Sequence, residues 1–422
     1  MKYFYPADIL IPDFGKTDGT RWAVIACDQF TGEPEYWKNV ADTVGDEPST
    51  LKIIIPEAFL AQTADRLPLV NGTMEYYLEG ILHEHKNSMI YVERTQSDGR
   101  VRHGIVGAVD LEDYDYGKNA HSSIRATEGT VLERIPPRVA VRRGACIEAP
   151  HVMLLVNDPA NTVFSELEYS RENNASMAYD FPLMLGGGHI KGRFLNDREM
   201  EAVSEALENI AKEDAGSENN TPLLFAIGDG NHSLASAKAL YEELKTQIGT
   251  EKAQKHPARY ALAEVVNIYD TALDFEPIYR ILTNCETEDV IKALERYALD
   301  IDSTFLADDE CKPQVIRCFF GDKEKAVTVK HPKKKITVAT LEDFLEEYLS
   351  SHPGKAVDYI HDEDSVRELS QKENTVGFIF DGITKDGFFE AIEKDGAFPR
   401  KTFSMGHARD KRYYLECRKI VE

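Results

Sequence analysis

The sequence of 422 residues lacks long apolar runs and paired cysteine motifs. No window approaches the roughly 20 apolar residues that a membrane-spanning helix needs. Pro6, Asp8 and Pro12 interrupt the amino-terminal stretch, which is unlike the apolar centre of a signal peptide. The six cysteines are scattered without a C-x-x-C pair, which argues against a zinc knuckle and a disulfide framework. We therefore expect a cytoplasmic protein with reduced thiols and no membrane partner.

Positive charge is also scarce. The chain has 49 lysines and arginines against 73 aspartates and glutamates, a formal net charge of −24. This charge repels phosphate backbones over the whole surface. The one dense basic run, Lys333 to Lys335, lies between two β-rich segments and is typical of a solvated strand edge. A nucleic-acid partner is therefore not expected.

Several common catalytic motifs are missing. The sequence contains no Gly-x-Ser-x-Gly, no His-Glu-x-x-His and no Gly-x-Gly-x-x-Gly. Gly228-Asp229-Gly230 comes nearest to the last of these, but the third glycine is absent. These absences count against serine hydrolases, zinc proteases and nicotinamide-dependent enzymes.

Strand and helix patterns alternate along the chain, which predicts a mixed α/β protein. Its length exceeds that of a usual single core, so we expect two α/β domains, 1–285 and 286–422. Two alternating runs around Asp98-Gly99 predict a β-hairpin. The apolar run Leu51–Ile55 predicts a buried strand, and the run from Pro257 to Ile268 predicts a helix.

The clearest candidate site follows the apolar run Leu223–Ile227, where Gly228-Asp229-Gly230 breaks the strand pattern and a helical pattern begins. Glycines permit a tight turn, and the first amides of a helix attract anions. Asp229 could hold a divalent cation, accept a proton or cap the helix, and His232 is near enough to face the same ligand. Asn231 and Ser233 add polar groups. The alternative is purely structural, with Asp229 or Asn231 as a helix cap and His232 as a satisfied core side chain.

A second glycine cluster is a weaker candidate. Gly186, Gly187 and Gly188 precede His189 and Lys191, which together suit an anionic group. The motif is not a Walker loop, so a connecting loop without a ligand is an equal alternative.

Arginines form the third candidate, because five of them cluster in this acidic chain: Arg125, Arg134, Arg138, Arg142 and Arg143. They either bind an anionic ligand or pair with Glu128, Glu133 and Glu148. The run Pro399–Phe403 adds Lys401 near the carboxyl terminus, where an ordinary solvated strand start is the simpler interpretation.

The segment Asp229–Ser236 resembles the strand-D-G-x-H-[RS]-x-x-A pattern of the bacterial and archaeal family catalogued as domain of unknown function 1015, and the likeness covers nearly the whole chain. The stretches that resemble this family are Trp22–Trp37, Arg125–Arg138, Pro150–Asp158, Gly186–Gly192, Phe275–Arg280 and Pro399–Phe403. The turn is also similar to that of the ParB/sulfiredoxin-like fold, which includes chromosome-partition proteins, sulfiredoxins and free-serine kinases. The likeness implies a core of that fold with large insertions, followed by a carboxyl-terminal α/β domain.

In the serine kinases a D-G-H-H-R turn holds phosphate and magnesium. Here Asn231 and Ser233 replace a histidine and the arginine, so the resemblance implies that Arg125 or Arg138 supplies the missing charge. We expect an enzyme that binds a nucleotide or a phosphorylated small molecule, with a kinase acting on a small-molecule hydroxyl as the sharper hypothesis.

The expected roles are Asp229 on Mg²⁺ or on the hydroxyl, His232 on phosphate and Glu128 as the base, with ATP or ADP as cofactor. The remaining expected ligand contacts come from the residues considered above: Gly228, Gly230, Asn231, Ser233, Arg125, Arg138, Gly187, Gly188, His189, Lys191 and Lys401. One alternative is a nucleotide-sensing regulatory or partition-type module without turnover. Another is a redox role for Cys27, which predicts a thiol of low pKa. The sequence leaves a homo-oligomer open.

Overall fold

The computed structural model describes residues 1–117, 120–170, 177–215, 221–303 and 311–422. The backbone groups into two compact units. The first unit consists of Met1–Ala126, Thr130–Leu273 and His407–Glu422, and the second consists of Thr127–Gly129 and Asp274–Gly406. These units divide the chain at other places than the predicted domains 1–285 and 286–422, because the last segment returns to the first unit. Domain boundaries cannot be predicted from local composition when a chain returns in this way.

A large mixed sheet forms the centre of the first unit. Among the described residues it has nine strands, in the spatial order Met177–Pro182, His189–Phe194, Ile90–Thr95, Val101–Asp110, Tyr260–Asn267, Met153–Val156, Phe225–Asp229, Ile124–Arg125 and Tyr114–Asp115. Phe225–Asp229 pairs antiparallel with Met153–Val156 and parallel with Ile124–Arg125. The strand that carries the candidate turn is therefore held on both edges.

Both faces of this sheet are covered. Along Tyr260–Asn267, Leu262 joins one hydrophobic cluster, while Ala261 and Ala263 join the other. The α-helices of this unit are Gly19–Trp22, Pro34–Val44, Thr63–Gly80, Ile135–Arg143, Ser165–Ser170, Asp197–Ala215, Asn231–Ile248 and Thr250–Ala253. Its shorter strand pairs are Ala7–Pro12 with Leu82–Ser88, Val24–Ile25 with Tyr413–Tyr414, and Ile147–Glu148 with Arg418–Lys419.

The second unit contains an antiparallel sheet. Its strands lie in the order Lys323–Val329, Gln314–Phe320, Thr375–Phe380, Tyr279–Thr283 and Ala356–Ile360. Its α-helices are Thr287–Ser303, Thr337–Ser351, Glu363–Leu369 and Lys385–Asp395. A further pair joins Phe275–Pro277 to Phe403–Met405.

Some predicted elements are confirmed and others are wrong. The hairpin around Asp98-Gly99 is present, with Gly99 at φ 88°. Leu51–Ile55 is not a strand, because a 3₁₀-helix covers Thr50–Ile53. Pro257–Ile268 is not a helix, because Tyr260–Asn267 is a strand buried on both faces and therefore has no polar alternation. In the described part of the chain, no helix has both the length and the apolar character to span a membrane.

Candidate functional site

The candidate turn joins strand Phe225–Asp229 to the 18-residue helix Asn231–Ile248, which we call the site helix. Gly230 stands between them in the left-handed region at φ 83°. A Cβ at this position would lie 3.0 Å from the Cα of Val152 on the neighbouring segment. Both the backbone conformation and the close approach therefore require glycine here.

The amino end of the site helix has no side-chain cap. Gly230 is the capping residue and cannot supply a side-chain acceptor. The Oδ1 of Asp229 accepts only the Gly230 amide, at 2.9 Å, and the buried Oδ1 of Asn231 makes no hydrogen bond. The alternative that Asp229 or Asn231 caps the helix is therefore wrong. The positive end of the helix dipole lies beside a carboxylate and not behind a cap.

His232 lies in the first turn of the site helix, with Ser233 following it. Its Nε2 accepts the backbone N–H of Val131 at 3.4 Å. Val131 leads towards helix Ile135–Arg143, whose Ile135 and Val139 pack on Ala235 of the site helix. His232 thus contacts the segment that covers its own helix, in agreement with the structural alternative as well as with a ligand role.

Lys411 faces the Asp229 carboxylate from the carboxyl-terminal segment. Its Nζ lies 3.7 Å from Oδ2, and both side chains are largely buried. This Oδ2 accepts no hydrogen bond, so Lys411 is close enough to form an ion pair with it but too far away to donate a hydrogen bond. The charge of Lys411 also acts on Asp28, which follows strand Val24–Ile25. The positive charge of Lys411 therefore acts on two carboxylates that lie far apart in the sequence.

Asp28 is partly exposed and lies within the electrostatic influence of the buried side chain of His151. Burial raises the pKa of Asp28, but the charge of His151, a hydrogen bond from Gln29 and the charge of Lys411 together lower it below the ordinary value. His151 is buried, and its Nδ1 lies 2.8 Å from the hydroxyl of Tyr414. Asp28 is thus an ionised carboxylate that can accept a hydrogen bond from a ligand hydroxyl.

Cys27 precedes Asp28 but is not a reactive thiol. Burial, followed by the charge of Asp28, raises the pKa of Cys27 to about 12. The redox hypothesis predicted a lowered pKa for this thiol, and that prediction is wrong because burial and the Asp28 charge both raise the pKa.

Most of the clustered arginines have carboxylate partners. Arg138 pairs with Glu57, Arg142 with Glu148 and Arg143 with Glu243. The predicted internal pairing is confirmed for Arg142 with Glu148, whereas Arg138 and Arg143 pair with glutamates that were not predicted. Arg125 lies on the strand beside the site strand, with its residue opposite Ala226, and its Nε donates to the Ser122 carbonyl at 2.9 Å.

The second glycine cluster is a connection between strands Met177–Pro182 and His189–Phe194. A Cβ on Gly187 would lie 2.1 Å from the Tyr413 hydroxyl, and one on Gly188 would lie 2.2 Å from the Thr95 carbonyl oxygen. His189 pairs with Asp180 at 3.2 Å, and Lys191 lies 4.0 Å from Glu93. Gly187 and Gly188 are therefore in close contact with other residues of the same chain, which leaves no room for a side chain at either position.

Two predicted site residues belong to the second unit. Glu128 makes a bridge with Phe398. Lys401 has a left-handed backbone at φ 52° and places its Nζ 4.9 Å from the centre of the Tyr359 ring. Buried Arg280 fixes this loop by donating to the carbonyls of Arg400 and Lys401 at 3.1 Å each.

Sequence reasoning missed Asp28, His151, Lys411 and Tyr414. Asp28 follows an apolar run, where the end of a strand is expected, and this position is the signal that could have identified it. Lys411 and Tyr414 have no local pattern that marks them, because contacts with distant parts of the chain, such as the pairing of Val24–Ile25 with Tyr413–Tyr414, determine their positions.

Among the described residues, no three His, Cys, Asp or Glu side chains are grouped to hold a metal ion. A protein cage for a cation is therefore not seen in that part of the chain. Asp229 can still be one ligand of Mg²⁺, which commonly takes one or two carboxylates and completes its shell with phosphate oxygens and water.

The family described as Protein of unknown function (DUF1015) matches residues 13–420, and the chain belongs to that family. The predicted resemblance is confirmed. The sequence matches no curated protein.

Solved structures show distant likeness. Two are of a free serine kinase mutant: the complex with AMP has 10% identity and a TM-score of 0.39, and the complex with ADP has 11% identity and the same TM-score. Each likeness covers 76% of this chain and 93% of the kinase chain. SbnI with C-terminal truncation from Staphylococcus aureus has 11% identity and a TM-score of 0.35, over 71% of this chain and 82% of its own. Likeness at this level carries no functional argument, and the ParB/sulfiredoxin-like core stays a prediction.

Proposed function

We propose that the first unit binds a nucleotide or another phosphorylated small molecule at the amino end of the site helix and transfers phosphate to a small-molecule hydroxyl. The observation that carries the proposal is the approach of Lys411 to the Asp229 carboxylate, at 3.7 Å, beside an uncapped helix end. Phosphoryl transfer mainly needs positioning and charge neutralisation, and this arrangement offers both.

Each group has a role in this proposal. The helix amides and Lys411 attract the phosphate, and Asp229 offers its Oδ2 to Mg²⁺. Mg²⁺, when bound with ATP or ADP, neutralises the phosphate charge. Ionised Asp28 accepts a hydrogen bond from the attacking hydroxyl. As the hydroxyl oxygen bonds to phosphorus, the bond from phosphorus to the nucleotide oxygen breaks, and Asp28 takes the proton that the new bond has made acidic.

The test measures melting temperature and calorimetric affinity with ATP, ADP and pyrophosphate, with and without Mg²⁺, because a ligand selective for the folded state raises the melting temperature. Wild-type protein should bind with Mg²⁺. Asp229→Asn and Lys411→Met should each weaken binding about tenfold or more, which corresponds to about 1.4 kcal/mol.

The matched control is Lys419→Met. Lys419 lies in the same carboxyl-terminal segment as Lys411, but its Nζ pairs with Glu84 on the surface, at 3.0 Å. This variant should bind like wild type. Absence of binding to every phosphate compound, or unchanged affinity in both site variants, contradicts the proposal. Binding without phosphate transfer to any hydroxyl compound favours the sensing module instead.

A further inference from the structure

Phe30, two residues beyond Asp28, has an unusual backbone. Its φ is 52°, in the left-handed region that bulky residues rarely adopt. The surrounding contacts hold it there: the Trp37 indole donates to the Gln29 carbonyl at 3.2 Å, and the Glu33 amide donates to the Phe30 carbonyl at 3.1 Å. Strained residues fixed by their neighbours cluster at ligand sites.

The strained loop presents a flat aromatic stack. The Phe30 ring lies 3.8 Å from the Tyr36 ring at an interplanar angle of 16°, and both residues are partly exposed. Tyr36 is fixed in turn by an edge contact with Trp37 at 5.7 Å and by a hydrogen bond with Tyr413. We call Phe30 and Tyr36 the aromatic platform.

The aromatic platform is close to the charged part of the site. Two residues of extended chain span at most about 7 Å, so the Phe30 backbone stays near that of Asp28. The Ala26 amide, two residues before Asp28, donates to the Arg412 carbonyl at 3.0 Å, and the neighbouring Lys411 places its Nζ 3.7 Å from the Asp229 carboxylate. The platform and the phosphate-attracting turn are therefore joined through one short series of neighbours within the first unit.

We propose that the aromatic platform stacks the base of a nucleoside phosphate whose phosphates lie at the Asp229 turn. This inference rests on the proposed function and narrows its ligand from any phosphorylated small molecule to a nucleotide. Stacking on an aromatic face accepts every base, so the platform selects for a base without choosing which one. A compound with the same phosphates and no base loses this contact.

The test compares ADP with pyrophosphate by calorimetry in the presence of Mg²⁺. Wild-type protein should bind ADP more tightly than pyrophosphate. Phe30→Gly keeps a backbone that is free to adopt positive φ, so it removes the ring without adding strain. It should bind ADP about tenfold more weakly and pyrophosphate as wild type does. Phe30→Trp should restore the preference for ADP.

Phe59→Ala is the matched control, because Phe59 is another partly exposed aromatic packed on the same core. It should leave both affinities unchanged. Equal wild-type affinity for ADP and pyrophosphate overturns the inference while the proposed function stands, and so does an equal effect of Phe30→Gly on both ligands. If wild-type protein binds neither compound, the proposed function fails and the platform assignment fails with it.

Discussion

The first unit contains two glycine turns that look alike in sequence and differ in structure. At Gly230 the chain passes from a strand into a long uncapped helix, and ionised groups gather beside it from distant segments. At Gly187 and Gly188 the chain makes a short reversal whose own carbonyls accept its amides, as the 2.8 Å bond from the Leu183 amide to the Gly188 carbonyl shows.

The difference shows what a glycine cluster can indicate. A glycine marks a place where another group approaches the backbone closely, but that group can belong to the protein itself and need not be a ligand. At Gly187 it is the Tyr413 side chain, and at Gly188 it is the Thr95 backbone. Only the turn at Gly230 has Lys411 and Asp229 beside it with a carboxylate oxygen lacking a hydrogen bond.

Replacing Gly188 by alanine should have the largest effect on stability. The new Cβ would lie 2.2 Å from the Thr95 carbonyl oxygen at a φ of 81°. We expect the free energy of unfolding to fall by about 2–4 kcal/mol in urea titrations. The molecules that remain folded should keep wild-type affinity for ADP. Lost affinity with normal stability would instead make this turn a ligand site.

Gly230→Ala should combine a smaller loss of stability with a loss of binding. Its Cβ would lie 3.0 Å from the Cα of Val152 at a φ of 83°. The free energy of unfolding should fall by about 1–3 kcal/mol. ADP affinity should fall about tenfold or more, measured by calorimetry at a temperature where the variant is folded. Wild-type affinity would remove the distinction between the two turns.

The smallest expected effect is electrostatic. The pKa of Asp28 is lower in the folded chain than in the unfolded one, so its charge stabilises the fold above the unfolded pKa of about 3.9. This contribution is lost as the pH falls through the folded pKa. The stability difference between wild type and Asp28→Asn should therefore shrink from pH 6 to pH 3.

The control for this pH dependence comes from the other turn. Asp180 pairs with His189 there, and both side chains are exposed. Asp180→Asn should give a nearly flat difference from wild type over the same pH range, because exposed pairs contribute little. A steeper dependence for Asp180 than for Asp28 would contradict the comparison.

Local patterns predicted much of the fold. The hairpin at Asp98-Gly99 and the strand-turn-helix at Gly230 follow from turn chemistry and hydrophobic period, and both are present. The prediction of a helix over Pro257–Ile268 is wrong, because the strand Tyr260–Asn267 is buried on both faces. Such a strand lacks the alternation of polar and apolar residues that would distinguish it from a buried helix. Burial on both sides depends on the whole sheet and cannot be seen in one segment.

The sequence predicted where the candidate site lies, but it predicted only some of the residues that form it. Asp229 and His232 lie within one turn of sequence, so local reasoning found them. Lys411 and His151 reach Asp28 and Asp229 through pairings of strands far apart in the chain, and no single sequence displays those pairings. The pairing of Val24–Ile25 with Tyr413–Tyr414 is the step that local patterns could not supply.

The return of His407–Glu422 to the first unit has a consequence for biosynthesis. A ribosome delivers all of Asp274–Gly406 before it delivers Lys411, so these residues of the second unit are synthesised while the first unit still lacks His407–Glu422. Until that segment emerges, Val24–Ile25 has no Tyr413–Tyr414 to pair with, and Asp229 has no lysine beside it. The strand pairing and the lysine beside Asp229 can therefore form only after the whole of Asp274–Gly406 has been synthesised.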